Sequence, residues 1–287
     1  MLRRALIVIV AASPAALPAA SLAYDIKPKM PETAFSKRLH PDILGISADS
    51  SAAAARAIFE SSFRGRGNTK TNIKERKFGG TAVSYTAALN FTLPPGPKQT
   101  GEMLSSSFSS PASANLAYFV SRELTFAPDQ QPSRVEMVKQ VLKKYGRPTI
   151  VGNHHLYYFY RKGSIMSGGA KYKEAAALEA IGRPLDPRIA IKLNDRNGRG
   201  SCVAVVKRVL AKERSLPAML GEAKGANCDG ALSVELTPDA APNRVGNAQF
   251  TLLDFKRMIS AAKIDGDALA AEQNERNPLP KVRAPKL

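Results

Sequence analysis

Apolar and polar positions change rhythm several times along this chain, and each change predicts an element. Ala5 to Ala20 is an apolar run broken only by Ser13, Pro14 and Pro18; Arg3-Arg4 precedes it, and small residues at Ser21 and Ala23 follow. This basic, apolar, small order is the layout of a secretory signal cut before Tyr24. Its strongly apolar part, Ala5 to Ala12, is shorter than the roughly 20 residues that a spanning helix needs. Tyr24 to Pro41 then carries Pro28, Pro31 and Pro41 with little periodicity. Each proline fixes its own φ and pushes its predecessor out of helical space, so residues 24–41 read as an extended linker.

From Asp42 the texture becomes that of folded protein. Ala53, Ala57 and Ile58 share one side of a helix expected from about Asp49 to Phe63, with Ser47 or Ser50 as its N-cap. Arg64 to Lys77 reads as a glycine-containing basic loop. Val83, Tyr85, Ala87, Leu89, Phe91 and Leu93 alternate with smaller or polar residues, which predicts a strand that Pro94-Pro95-Gly96-Pro97 ends. Strands are also expected at Met103 to Phe108 and Leu116 to Phe126. Their short connections make the three an antiparallel meander with one wet face. Ser133-x-x-Glu136 is a capping box ahead of the stripe Val135, Val138, Leu142 and Tyr145, and Gly146 and Pro148 stop that helix. An aromatic strand, Thr149 to Arg161, follows.

Beyond Gly163 the pattern restarts. It predicts a short helix from Tyr172 to Ile181 and strands near Ile189 to Leu193, Cys202 to Leu210 and Leu232 to Leu236. Thr251-x-x-Asp254 resembles a second capping box, before a helix with Phe255, Met258, Ile259 and Ala262 on one face. The expected class is therefore α+β: an antiparallel sheet packed by helices in residues 42–163, a second, smaller disulfide-tied α+β lobe in residues 164–265, and a disordered basic tail in residues 266–287.

Cysteine usage fits an oxidising compartment. Only Cys202 and Cys228 are present, 26 residues apart, with no C-x-x-C spacing, so a structural disulfide is the expectation. Lys and Arg outnumber Asp and Glu 42 to 24, a net charge of +18. Such a field attracts anions. Nucleic acid is the usual partner of a basic chain, but an exported protein meets little of it. An anionic cell-envelope component or an acidic protein is the partner that fits, with peripheral membrane contact compatible with the same charge.

Motifs for catalysis are few. G-x-S-x-G, the phosphate-binding G-x-x-x-x-G-K, H-E-x-x-H and a complete G-x-G-x-x-G do not occur. Ser260-Ala261-Ala262-Lys263 matches S-x-x-K, but late in its helix and without the partner motifs of serine acyl-enzymes. His154 and His155 start the aromatic strand; adjacent strand residues point to opposite faces, so the two cannot share one metal. They support an alternative reading, a periplasmic hydrolase using His154 or His155. Alternation in Tyr157-Tyr158-Phe159-Tyr160 predicts one pair of rings inside and one outside. Within residues 64–77, Arg64, Arg66, Lys70, Lys74, Arg76 and Lys77 face one acid, Glu75, and form the candidate anion-binding set. No cofactor or metal is implied. The residues favour a non-catalytic, periplasmic or secreted envelope protein that binds an anionic ligand or an acidic protein.

Ile43-Leu44-Gly45-Ile46-Ser47, Arg122-x-x-x-Phe126, Leu142-x-Lys144-Tyr145-Gly146-x-Pro148 and Cys228-Asp229-Gly230 are spread over most of the chain after the signal. In these motifs it resembles uncharacterised exported proteins of alphaproteobacteria, a resemblance that implies export and no particular activity. Small envelope proteins that assist outer-membrane assembly, and secreted protease- or lactamase-inhibitor domains, are similar in setting a helix beside an antiparallel sheet. That analogy concerns fold alone. N-terminal sequencing of the protein recovered from periplasm or medium should start at Tyr24 or within a few residues of it. An intact Met1 in a membrane fraction is the contrary outcome.

Overall fold

The computed structural model describes residues 26–169, 172–186, 201–210, 215–239, 241 and 243–276. The segment 1–23 expected to be a signal, the strand expected near Ile189 to Leu193 and residues 277–287 of the expected tail lie outside them. Six helices and nine strands form among the described residues, an α+β fold.

The first helix, α1 (Ala52–Phe63), is capped by Ser51, one residue after Ser50 and four after Ser47. Ser51 Oγ accepts the Ala54 N–H, while the Ser47 and Ser50 hydroxyls are used within the preceding turn. Its buried face is Ala52, Ala55, Phe59 and Phe63; Ala53 and Ala57 are exposed, and Ile58 only flanks the core. The two phenylalanines set the helix's rotation, because an aromatic ring buries far more area than an alanine methyl.

A meander follows: β1 (Lys70–Lys77), β2 (Ser84–Leu93), β3 (Gly101–Phe108) and β4 (Ala117–Thr125). The expected basic loop is thus half strand, since Lys70–Lys77 pairs antiparallel along β2 as the sheet's edge. Charged side chains suit an edge, where they discourage pairing with another chain. Helix α2 (Arg134–Tyr145) has the expected cap, with Ser133 Oγ accepting the Glu136 N–H; the Glu136 carboxylate takes the serine hydroxyl itself rather than the cap N–H. Met137, Val138 and Val141 carry its buried face, and Val135 points to solvent.

The strands β5 (Ile150–Gly152), β6 (His155–Arg161), β7 (Ser164–Ile165), β8 (Gly230–Pro238) and β9 (Val245–Asp254) do not build a second sheet. The order is β1-β2-β3-β4-β9-β8-β6-β5, all antiparallel, with β7 beside β6. Strands from both halves of the chain interleave, so the boundary expected at residues 163 and 164 separates two stretches of one sheet. Helices α1, α2 and α3 (Glu174–Ala180) close one face. Helices α4 (Cys202–Leu210), α5 (Leu216–Gly225) and α6 (Phe255–Arg276) close the other. The face expected to be wet is therefore covered over β4, β8 and β6, and all four rings of Tyr157 to Tyr160 are buried, alternately in the two cores.

Helix α4 corrects a strand. Val203, Val205, Val206 and Val209 favour β-structure locally, but burial of Cys202, Val205, Val206 and Val209 beside exposed Lys207 and Arg208 follows a helical period. Tertiary burial overrides propensity here. The disulfide forms, tying the start of α4 at Cys202 to Cys228 just before β8, with Cα atoms 6.1 Å apart. Closing that loop is worth roughly 3.5 kcal/mol on the chain-entropy model.

The expected linker is extended but is not a linker. Ala34 and Phe35 are buried, the Phe35 ring meeting Tyr160 edge-on at 4.9 Å. What holds the segment is Asp254, at the junction of β9 and α6. This fully buried carboxylate accepts the Thr33 hydroxyl (2.6 Å), the Ala34 N–H (3.0 Å) and the Arg257 N–H (2.9 Å). The last bond caps α6, so the cap is Asp254 and Thr251 remains inside the strand. Burial pushes the Asp254 carboxyl up to about 6, and the neighbouring Arg257 guanidinium and Thr33 hydroxyl oppose that rise. Arg257, itself 1% exposed, reaches the Ala48 carbonyl and pairs with Asp49 at 2.5 Å.

Replacing Asp254 by Ala leaves a buried guanidinium without its buried counter-charge. The expected loss is about 3–5 kcal/mol in urea unfolding. A loss below about 1 kcal/mol would show that the junction does not depend on this carboxylate.

Candidate functional site

Where the sheet's edge passes beyond α5, a cavity of about 380 Å³ opens between β1, β2, α5 and α6. Its size falls within the range of small-molecule sites. Strand geometry decides which side chains reach it. Ile73 turns to the α1 side of the sheet. Lys74 and Arg76 line the cavity with Lys77, and Tyr85, the cross-strand partner of Arg76, stands beside them. A bulge at Lys74 and Glu75 shifts the register locally. Glu75 accepts the Thr86 hydroxyl at 2.7 Å and is not part of the cavity wall.

Most of the other wall residues are apolar. Leu216, Pro217 and Leu220 come from α5, Leu269 from α6, and Phe108 and Tyr118 from β3 and β4. One end is closed by a clasp between the β1–β2 turn and the end of α6. Gly79, at φ +55°, leaves so little room that a Cβ there would lie 2.3 Å from Glu272 Oε2 and 2.5 Å from Leu269 Cδ2. Glu272 is buried and pairs with Arg276 at 2.8 Å, while Arg276 also donates to the Gly80 carbonyl (2.5 Å). This clasp is why α6 continues to Arg276 through residues 266–276, where no periodicity was legible and a disordered tail was expected.

One carboxylate lines the cavity. Asp265 Oδ1 accepts the Ser110 hydroxyl at 2.7 Å and the Ser113 hydroxyl at 2.6 Å, both presented by the 3₁₀ turn Pro111–Ser113 and its N-cap. Burial pushes the Asp265 carboxyl above its ordinary value, although both serines hold it down. Tyr85 feels both sides: burial raises its phenol first, the Asp265 charge raises it further and Arg76 lowers it. Tyr118 is buried deeper and its phenol is pushed up by that burial.

The candidate anion-binding residues therefore divide. Lys74, Arg76 and Lys77 are brought together at the cavity, and Arg64, Arg66 and Lys70 are not among its walls. Arg66 instead lies over the Phe63 ring and, with Arg122, brackets the buried Glu102; Arg122 Nε donates to Glu102 at 2.8 Å. The sequence missed Tyr85, Tyr118, Leu216, Leu220, Leu269 and Asp265 as site residues. Only the alternation of β2 and β4 hinted at the two tyrosines. Asp265 meets its serines across more than 150 residues, which leaves no local signal.

The histidines occupy a different place. Asn153 and His154, both at positive φ, form the two-residue turn between β5 and β6. His155 Nδ1 donates to the Asn153 carbonyl (2.6 Å), and the ring stacks on Tyr157 at 4.9 Å between ring centroids and approaches Glu235 at 3.4 Å. Hydrogen bonding to His155 holds the Glu235 carboxyl below its ordinary value. Neither histidine lines the cavity. The Ser260 of the S-x-x-K match accepts the Glu32 N–H at 3.0 Å, a tie to the N-terminal segment. Among the described residues no three His, Cys, Asp or Glu side chains gather as a metal would require, and no helix is long and apolar enough to cross a membrane.

No family model, curated protein or solved structure matches this chain.

A carboxyl that keeps its proton more tightly folded than unfolded contributes stability that is complete at low pH and is lost as pH rises through its folded value. Asp265 is such a group. Between about pH 4 and pH 7, the wild type should lose stability relative to Asp265→Asn, as read from urea midpoints of both proteins. A difference that is flat with pH, or that grows in the wild type's favour, would contradict the burial of this charge.

Proposed function

We propose that this chain is an exported, non-catalytic binding protein of the cell envelope that holds an anionic amphiphile in the cavity between β1–β2 and α5–α6. One observation carries the reading: three cations on an edge strand and a set of aliphatic and aromatic walls converge on one space of ligand size. Apolar walls recover the free energy of removing a hydrocarbon from water, about 25 cal/mol per Å². The cations recognise an anionic head through charge-assisted hydrogen bonds, each worth more than a neutral one. Neither half of that arrangement needs the other in a merely solvated strand edge. The net charge of +18 raises encounter rates with anions along the same path. Export is supported by the signal-like segment at residues 1–23 and by the Cys202–Cys228 bond, which persists in oxidising compartments.

Titration calorimetry of the secreted form with octyl phosphate tests the reading. Binding should weaken about tenfold or more when Lys74, Arg76 and Lys77 are all changed to Ser. It should also weaken between about 10 mM and about 150 mM salt, as the Debye length falls from about 30 to about 8 Å. The same variant at Arg64 and Lys70, outside the cavity, should bind as the wild type does. No binding, or binding indifferent to salt and to all substitutions, would overturn the proposal.

A further inference from the structure

We infer that the outer edge of β1 takes an extended, acidic polypeptide segment as an added strand. This surface is distinct from the cavity, and it engages Lys70, which the cavity leaves out.

The two ends of the sheet differ in how they meet solvent. At one end β5 has three residues, all buried, with the Leu185 backbone packed on Gly152, and β7 beside it has two. Short, covered edges of this kind resist pairing with other chains. At the other end β1 runs for eight residues, six of them exposed, with β2 as its strand partner on one side. From Lys70 to Lys74 the register on β2 is unbroken, and the bulge comes after it. Along Lys70 to Ile73 no backbone hydrogen bond beyond the β2 ladder is made among the described residues. Alternate residues of an antiparallel strand turn their N–H and C=O groups away from the partner, so this edge presents donors and acceptors together at a repeat of about 7 Å.

That repeat names the chemical class of the occupant. Another polypeptide strand carries donors and acceptors at the same spacing, whereas a DNA backbone offers phosphate acceptors without matching donors and would leave the edge carbonyls unsatisfied. Charge then selects the sequence. Lys70 and Lys77 stand exposed at the two ends of the strand, and among the described residues no acid pairs with either. Glu75, the strand's one acid, is turned back onto the Thr86 hydroxyl of β2. A second copy of β1 is a poor partner, because lysine would oppose lysine and like charges directly opposite destabilise a sheet. The same rule favours an acidic strand, whose carboxylates form cross-strand pairs of opposite sign. The cations of β1 therefore reject a second β1 while admitting its electrostatic complement. The net charge of +18 speeds the encounter with that partner.

Fluorescence polarisation with a labelled peptide of alternating glutamate and valine, as long as β1, tests the inference. Two further peptides carry N-methyl groups on alternate amides in the two possible phases, so that one phase blocks the bonds to β1 and the other methylates amides that face away. One phase should lose affinity about tenfold or more and the other should keep it. Lys70→Glu combined with Asn72→Glu, at two exposed positions outside the cavity wall, should weaken the unmethylated peptide about tenfold while octyl phosphate still enters the cavity. A peptide with lysine in place of glutamate should not bind. Equal effects of the two methylation phases would show attraction by charge alone and overturn the added strand. Binding of the lysine peptide as tight as that of the acidic one overturns the charge selection, and unchanged affinity in the double variant places the peptide elsewhere and overturns the assignment to β1. Single-stranded DNA of matching charge that binds more tightly than the peptide overturns the polypeptide. No peptide binding, with octyl phosphate bound, sinks this inference and leaves the cavity reading standing; the reverse pattern sinks the cavity reading alone.

Discussion

Everything in this fold passes through one buried junction, where β9 ends and α6 begins. Asp254 is completely enclosed, and a carboxylate in that position is tolerated only because two distant parts of the chain bring donors and a positive charge to it. Thr33 and Ala34 bring in the N-terminal segment, Arg257 brings in its own helix, and the same guanidinium reaches on to Ala48 and Asp49 ahead of α1. A single polar knot thus fixes the segment before the first helix, the central hairpin β8–β9, and the direction of the last helix. Hydrophobic burial supplies the bulk of the stabilisation, but it is non-directional. The knot determines which of many compact arrangements the cores adopt.

That direction has a consequence for the cavity. Once α6 leaves the knot it crosses the sheet toward the β1–β2 edge, where Glu272 and Arg276 close over Gly79 and Gly80. Between these two fixed ends the helix spans the sheet's edge, with α5 packed along it. Phe108 and Tyr118 floor the space that results, and α5 supplies aliphatic walls. The cavity is therefore a product of long-range geometry: β1, β3, α5 and α6 contribute from sequence positions far apart.

This explains what could be read in the sequence and what could not. Elements whose signals are local were legible: the alternation of β2, the serine cap of α2 and its glycine stop, the aromatic β6, and the paired cysteines. Where a distant partner decides, reading failed. Valines of α4 look like a strand until the helices and sheet that bury one side of them are known. The segment at residues 24–41 looks like a linker because the group that anchors Thr33 and Ala34 lies more than 200 residues away. Half of the candidate anion site was legible as a charge run, Lys74, Arg76 and Lys77, because charge is visible without structure. Arg66 was drawn into the same set by proximity alone, although its guanidinium serves Glu102.

A bland account of β1 also exists, in which its lysines merely keep an exposed edge from pairing with other chains. Such an account explains cations anywhere on the strand, including Lys70, which stands in the open. It does not explain why the other side of the space they line should be aliphatic. Asp265 serves the fold itself, because its carboxylate accepts the Ser110 and Ser113 hydroxyls and so ties the 3₁₀ turn to α6. The edge strand's cations and the aliphatic side chains opposite them are brought to one cavity by elements far apart in sequence, and the binding proposal accounts for both together.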